Sequence, residues 1–266
     1  MKAEGVTRFP ASIREINNLP EKDKHEIYKT LVPDWVSEDF DISSDSVGKD
    51  GQIQYMCPAG SRAMEVSVRR NPADIDPILY MNIADTFNNQ LLVLLMVVNN
   101  PDAKRYNVDI DQQGNRTNFG TSSRNIPAEL AAMKAGLSPG QVREGLRAFK
   151  RSVPHFELFV NSMGHDMFFI EPLAYHNAIV FERYGFNYMR GLKDMQTIHQ
   201  GFQSDGDLYQ KLTPNNPFRQ PNAWKSVRGR SWAIHDGILG HPFTGFQMYK
   251  RVGHHAGVET FPNAIW

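Results

Sequence analysis

Between Ala63 and Arg69 polar and apolar residues alternate. Met64, Val66 and Val68 fall on one face of an extended chain, which predicts a half-buried strand. Ile78 to Ala84 predicts a second strand and Asn88-Asn89 a turn. Leu91 to Val98 predicts a third, buried strand, and Arg105 to Ile110 fits a fourth. Short connections make these an antiparallel meander. A different period governs other stretches. Pro20 to Leu31 fits a helix with an early acid, Glu21, and apolar Ile27 and Leu31. Ile126 to Ala135 and Pro139 to Gly164 also read as helices. Ser138 and Gln141 stand at capping-box spacing around Pro139, which would be the first helical residue.

Met167 to Ile170 is a continuous apolar run, too short for a helix, so it predicts a central strand with both faces covered. Pro172 ends its ladder. Ala174 to Tyr184 then repeats apolar residues at helical spacing (Ala174, Ala178, Phe181), with Gly185 placed for a left-handed cap. Met189 to Phe202 predicts another helix. From Gln203 onward prolines and glycines make the chain turn-rich, with a last strand in Gly245 to Val252. Asp39 to Gly51 and Asp111 to Arg124 read as loops. The fold expected is α+β: a mixed, mainly antiparallel sheet with helices on both faces. Its organisation is an N-terminal segment at 1–60, a core at 61–190 and an extension at 191–266 packed on it.

Composition narrows the partners. Lys+Arg and Asp+Glu are equal at 29 each, so the whole chain has no attraction for nucleic acid or an anionic membrane. The longest apolar run, Leu91 to Val98, falls far short of the roughly 20 residues that span a bilayer. Residues 1–10 contain no apolar leader segment, and the single cysteine, Cys57, allows no intrachain disulfide. A soluble, cytoplasmic protein is the expectation. Nothing in the sequence excludes a homo-oligomer.

Chemistry concentrates in two places. Glu171 and His176 emerge together at the carboxyl end of the predicted central strand, where open sheets place reactive groups. A carboxylate partly desolvated there suits general acid–base work, and reads equally well as a helix cap or an arginine partner. The second place is Ser226 to Gly240. Arg228 and Arg230 fit a bidentate clamp on a carboxylate or phosphate, and His235-Asp236 pairs an imidazole with a group that fixes its tautomer. The same residues also read as surface ion pairs beside a turn at Asp236-Gly237. His165, His176, His199 and His235 with Glu171 or Asp236 offer the donor types of a metal site, but from separate elements and without His-x-His spacing. No Gly-x-Ser-x-Gly, Gly-x-Gly-x-x-Gly or Walker loop occurs.

The order meander, helix, buried strand, helix is joined by a local match. Ala178-Ile179 and Glu182-Arg183-Tyr184-Gly185-Phe186 resemble the last helix of the GNAT superfamily of N-acetyltransferases. The resemblance covers roughly residues 62–190. It implies acyl-CoA as co-substrate and acyl transfer to a small-molecule amine. Glu171 would be the base, and His176 or Tyr184 the proton donor to the thiolate. The family's glycine-rich pyrophosphate loop is replaced by Ser138-Pro139-Gly140-Gln141, so Ser138, Gly140 and Gln141 would hold the phosphates at a helix N-terminus. Arg228, Arg230, His235 and Asp236 would bind substrate. A metal-dependent His/carboxylate enzyme and a non-catalytic small-molecule binding protein stand as alternatives.

Overall fold

A computed structural model describes residues 8–266; Met1 to Thr7, part of the stretch read as lacking a leader, lie outside the described residues. Along the chain come α1 (Ile13–Asn17), α2 (Glu21–Lys29), α3 (Asp34–Phe40), β1 (Ile53–Met56), β2 (Ala63–Val68), β3 (Leu79–Asp85) and β4 (Leu91–Val98). There follow α4 (Ile126–Lys134), α5 (Phe149–Ser162), β5 (Met167–Ile170), α6 (Tyr175–Arg183), β6 (Asn187–Arg190), α7 (Leu192–Gly201), α8 (Asp207–Gln210), α9 (Val227–His235) and β7 (Gln247–Arg251). The class is α+β, with a mainly antiparallel sheet. No helix among the described residues is long and apolar enough to cross a membrane.

The chain divides into two compact units, neither continuous in sequence. The first takes residues up to Asp102, Gly145–Glu171 and Tyr249–His255; the second takes Ala103–Glu144, Pro172–Met248 and Ala256–Trp266.

In the first unit β1 to β4 form an antiparallel meander, each strand paired with the next. β5 joins β4 in parallel, and the Tyr249–Arg251 part of β7 lies beside β5. Met64, Val66 and Val68 are fully buried, as are Leu79 and Ile83 of β3. These carry the apolar face that the alternation predicts. α1 packs on β2 and β3, and a strand end caps it. The Asp85 carboxylate accepts from the N–H groups of Ile13 (2.7 Å) and Arg14 (2.9 Å). Helix N–H groups with no intrahelical partner are satisfied in this way. The central-strand expectation for Met167–Ile170 is met: Phe168, Phe169 and Ile170 are buried between two strand neighbours.

In the second unit α6 packs against α9, which also carries a short 3-10 turn at Ala223–Lys225. α6 ends as expected. Phe186 N–H donates to the Phe181 carbonyl and Gly185 N–H to that of Glu182, with Gly185 at φ 83°. That pair of bonds is the Schellman closure.

Four expectations fail for local reasons. Arg105–Ile110 is not a strand. The Arg105 guanidinium bonds to Asn107 and Asp109 on its own segment, and only Ile110 forms an isolated bridge, to Arg116. No helix starts at Pro139. Gly140 sits at φ 79°, a left-handed turn that interrupts helical propagation, and α5 begins only at Phe149. The helix drawn from Met189 starts at Leu192, because Tyr188 and Met189 belong to β6 and Gly191 turns the chain at φ 100°. The stretch after Gln203, expected to consist of turns, contains α8 and the nine-residue α9.

Candidate functional site

In the first unit the main feature is where β4 and β5 part. Their parallel register covers Leu92↔Phe169 and Val93↔Ile170 only. Pro172, which has no N–H, follows closely on Ile170 and ends the ladder. β4 continues to Val98. Just past the last β5 rung it bulges: Ile83 pairs with Val93 and Asn82 with Leu95, so Leu94 is the extra residue. Bulges often sit where a strand must be re-aimed at a site. Asn99 N–H donates to the Ile78 carbonyl at 2.9 Å. Alternation then turns the peptide groups of Met96 and Val98 away from β3, to the side where β5 has ended.

Close to this edge comes the chain into α5. A Cβ on Gly145 would lie 3.3 Å from the Val98 carbonyl oxygen, so a small residue suits this approach. Arg147 takes φ 54° and Ala148 caps α5 without a side-chain bond. The first turn holds no acid, and Arg147 and Lys150 are exposed. Glu171 follows β5 and is exposed to water. The expected partial desolvation is absent, because the chain leaves the sheet at that residue.

The polar face of β2 and β3 holds a group that the sequence reading passed over. Glu65 and Asn82 are directly opposed in the register, and Asn82 Nδ2 faces Glu65 Oε1 at 3.4 Å. Tyr80 lies two residues before Asn82 on the same face. Burial, and then the Glu65 carboxylate beside it, push its hydroxyl up to about 12. Asn82 Oδ1 is buried without a hydrogen-bond partner. Strand alternation was the available signal, but only the register brings these three together.

In the second unit α9 turns a different residue to each neighbour. Arg228, Trp232 and His235 share one face (i, i+4, i+7). Trp232 Nε1 donates to the Leu137 carbonyl at 2.9 Å and His235 Nε2 lies 3.1 Å from Glu129 Oε1. Arg228 Nε is buried without a partner, and its guanidinium lies 6.0 Å from the Trp266 ring centre. Ser231 points to α6, where its Oγ is 2.9 Å from His176 Nδ1. Arg230 has no exposed surface and points elsewhere again. Its Nε donates to the Trp224 carbonyl (2.7 Å), its Nη1 meets His199 Nδ1 (3.1 Å) and its guanidinium lies 3.5 Å from the Phe261 ring centre. The substrate-binding group expected from sequence is thus distributed over separate faces of one helix.

His235 and Asp236 belong to an ion network. Arg124 binds Glu129 through Nε and Nη2 and Asp236 through Nη1 (2.9 Å). Asp236 also accepts from Arg219 Nε (2.7 Å) and Asn216 Nδ2 (2.8 Å). Desolvation alone would raise Glu129 and Asp236. His235 and Arg124 on the first, and Arg124, Asn216 and Arg219 on the second, outweigh it and hold both below the ordinary carboxylate range. Gly120 is required here: it sits at φ 83°, and a Cβ would come within 2.6 Å of His235 Cε1.

His176 is buried, and desolvation pushes it down to about 3. It is therefore neutral at physiological pH and poorly suited to protonating a leaving group. Tyr184 is half-buried at the end of α6. Ser138 is buried, and its N–H donates to Gln141 Oε1 (2.7 Å) across the turn made by Gly140. Half of a capping box is present, without a helix behind it. Glu182, not singled out from sequence, accepts from Tyr188 Oη and from Thr260 N and Oγ1, and burial raises its pKa. It pins the C-terminal segment within this unit. Among the described residues no group of three or more His, Cys, Asp or Glu side chains is arranged to hold a metal ion. Comparison with protein-family models, with curated proteins and with solved structures produced no match, so a functional reading rests on this geometry and on the local sequence resemblance.

Proposed function

We propose that the chain is an acyl-CoA-dependent acyltransferase acting on a small-molecule amine, with the thioester arm of CoA lying along β4 where β5 has left it. The observation that carries this reading is the two-rung β4–β5 pairing followed by the bulge at Leu94. A strand edge whose peptide groups face outward pairs with extended amide-bearing ligands by strand addition. The pantetheine arm of CoA is such a ligand. The phosphates would meet the uncapped start of α5, with Arg147 and Lys150 beside it. A helix N-terminus carries partial positive charge and free N–H donors. This moves the phosphate site from the turn at Ser138, Gly140 and Gln141, which lacks a helix, to the helix that follows.

In the proposed reaction the amine nitrogen attacks the thioester carbonyl and loses a proton to Glu171. The C–S bond then breaks, and the CoA thiolate leaves. The test is a melting-temperature series with CoA, acetyl-CoA, malonyl-CoA and a long-chain acyl-CoA. A ligand at a hundred times its dissociation constant adds about 2.7 kcal/mol. Lys150→Glu should weaken that response, and Glu171→Gln should abolish thiol release while leaving it intact. No shift with any ester overturns the reading in favour of a non-catalytic binding protein.

A further inference from the structure

We propose that Glu65, Tyr80 and Asn82, on the polar face of β2 and β3, form a binding site for a primary alkylammonium group. The site is built from acceptors that the protein leaves incomplete. Asn82 Nδ2 faces Glu65 Oε1, which fixes the orientation of the amide and leaves Oδ1 turned from that carboxylate. That oxygen is buried and has no partner. A buried acceptor without a donor is costly, and native proteins seldom keep one without use. Glu65, half-buried, forms no ion pair among the described residues. The cation on its own strand face, Arg69, is committed to the Asp74 carbonyl (3.0 Å), Ser67 Oγ (2.8 Å) and Gln54 Oε1 (3.3 Å). Glu65 therefore meets only neutral donors among the described residues, the Asn82 amide and the Tyr80 hydroxyl, and its negative charge lies next to an orphan acceptor with no cation of the protein's own.

The chemistry selects the ligand. An ammonium carries donors and no acceptor. Here Glu65 Oε2, Asn82 Oδ1 and the remaining lone pair of the Tyr80 hydroxyl, which itself bonds to Glu65, are offered to it. A guanidinium is matched best by a bidentate carboxylate, and one Glu65 oxygen already faces the Asn82 amide. The register places Met56 opposite Glu65, Leu95 opposite Asn82 and Val97 opposite Tyr80, so apolar side chains flank the acceptors. They suit the alkyl chain of an amine. The inference rests on the acyltransfer reading only for the use made of the bound amine; the binding itself does not require CoA.

The test uses n-butylammonium as probe, with butan-1-ol and n-butylguanidinium as comparisons, followed by NMR shift titration of the full chain without CoA. Butylammonium should bind saturably, and at least tenfold more tightly than either comparison. Glu65→Gln should weaken it at least tenfold. Asn82→Asp, which adds a second carboxylate, should tighten it several-fold, a gain that misfolding cannot produce. Equal affinity for butan-1-ol, or butylammonium binding unchanged in both variants, overturns the proposal. So does a chain that responds to acyl-CoA but not to butylammonium. A chain that responds to butylammonium but not to acyl-CoA upholds this site and overturns acyl transfer.

Discussion

Arg124 and Arg230 lie in the same unit and both are withdrawn from water, yet their charges are answered in opposite ways. Arg124 sits between Glu129 and Asp236. Burial works against its charge, but those hydrogen bonds prevail and hold its pKa above the ordinary guanidinium value. Arg230 meets only neutral groups: a carbonyl, a histidine nitrogen and the faces of Phe261 and Phe202. Burial lowers its pKa. The Tyr175 hydroxyl lies within its electrostatic reach but outside hydrogen-bonding geometry, and is raised to about 12, chiefly by burial. The contrast separates two uses of arginine. One is a node on which two carboxylates depend; the other is a shaped donor whose charge is tolerated. A buried charge costs most when its partner alone is removed, not when the whole ion pair is replaced.

The sharpest way to break this comparison is to remove each guanidinium in turn. Arg124→Met strands two carboxylates and should cost about 3–5 kcal/mol in denaturant unfolding at neutral pH. The loss should shrink as the pH falls and Glu129 and Asp236 take up protons. Arg230→Met strands only the Trp224 carbonyl and His199, and should cost about 1–3 kcal/mol. Equal losses would remove the distinction. Arg230→Lys keeps the charge but loses the planar fork. With no exposed surface at this position, it should be tolerated no better than Met. A lysine variant as stable as the parent would show the charge itself to matter.

Gly120→Ala probes the ion network from outside. The new methyl meets His235, and the residue must hold a left-handed φ, so a loss of about 1–3 kcal/mol is expected. A smaller effect would show that the Asn118–Gly120 turn yields, and that His235 is not held in place.

The smallest effect is a slope. His176 is pushed from 6.5 to about 3 in the folded chain. Below pH 6.5 the unfolded chain binds a proton that the folded one refuses, so stability falls as the pH drops toward about 3. His199, also lowered by burial and then by Arg230, acts in the same direction. Glu182 is raised, so it acts oppositely: its protonated form favours the folded chain, and its contribution fades as pH rises. Stability measured from pH 6.5 to 5 should therefore lose up to about 1.4 kcal/mol per unit less in His176→Asn than in the parent. Parallel slopes would mean that His176 reaches water.

What the sequence determined by itself was local. Alternation in Ala63–Val68, the uninterrupted apolar run of Met167–Ile170 and the glycine after Tyr184 each act within a few residues, and each appears as read. Where the sequence misled, a second local signal competed with the first. Gly140 defeated the capping box at Ser138, and the side chains of Asn107 and Asp109 drew Arg105 away from a ladder. The site residues were only half legible. His235 and Asp236 were conspicuous, but their partners Glu129 and Arg124 lie more than a hundred positions away in the chain. The residues of α9 were singled out together, yet helical geometry turns Arg230, Ser231 and His235 to different neighbours. The orphan oxygen of Asn82 and the early parting of β5 from β4 exist only through strand register. Propensity and patterning are sums over near neighbours. Desolvation, counter-ions and unpaired acceptors depend on what the fold brings together, and tertiary structure alone decided those.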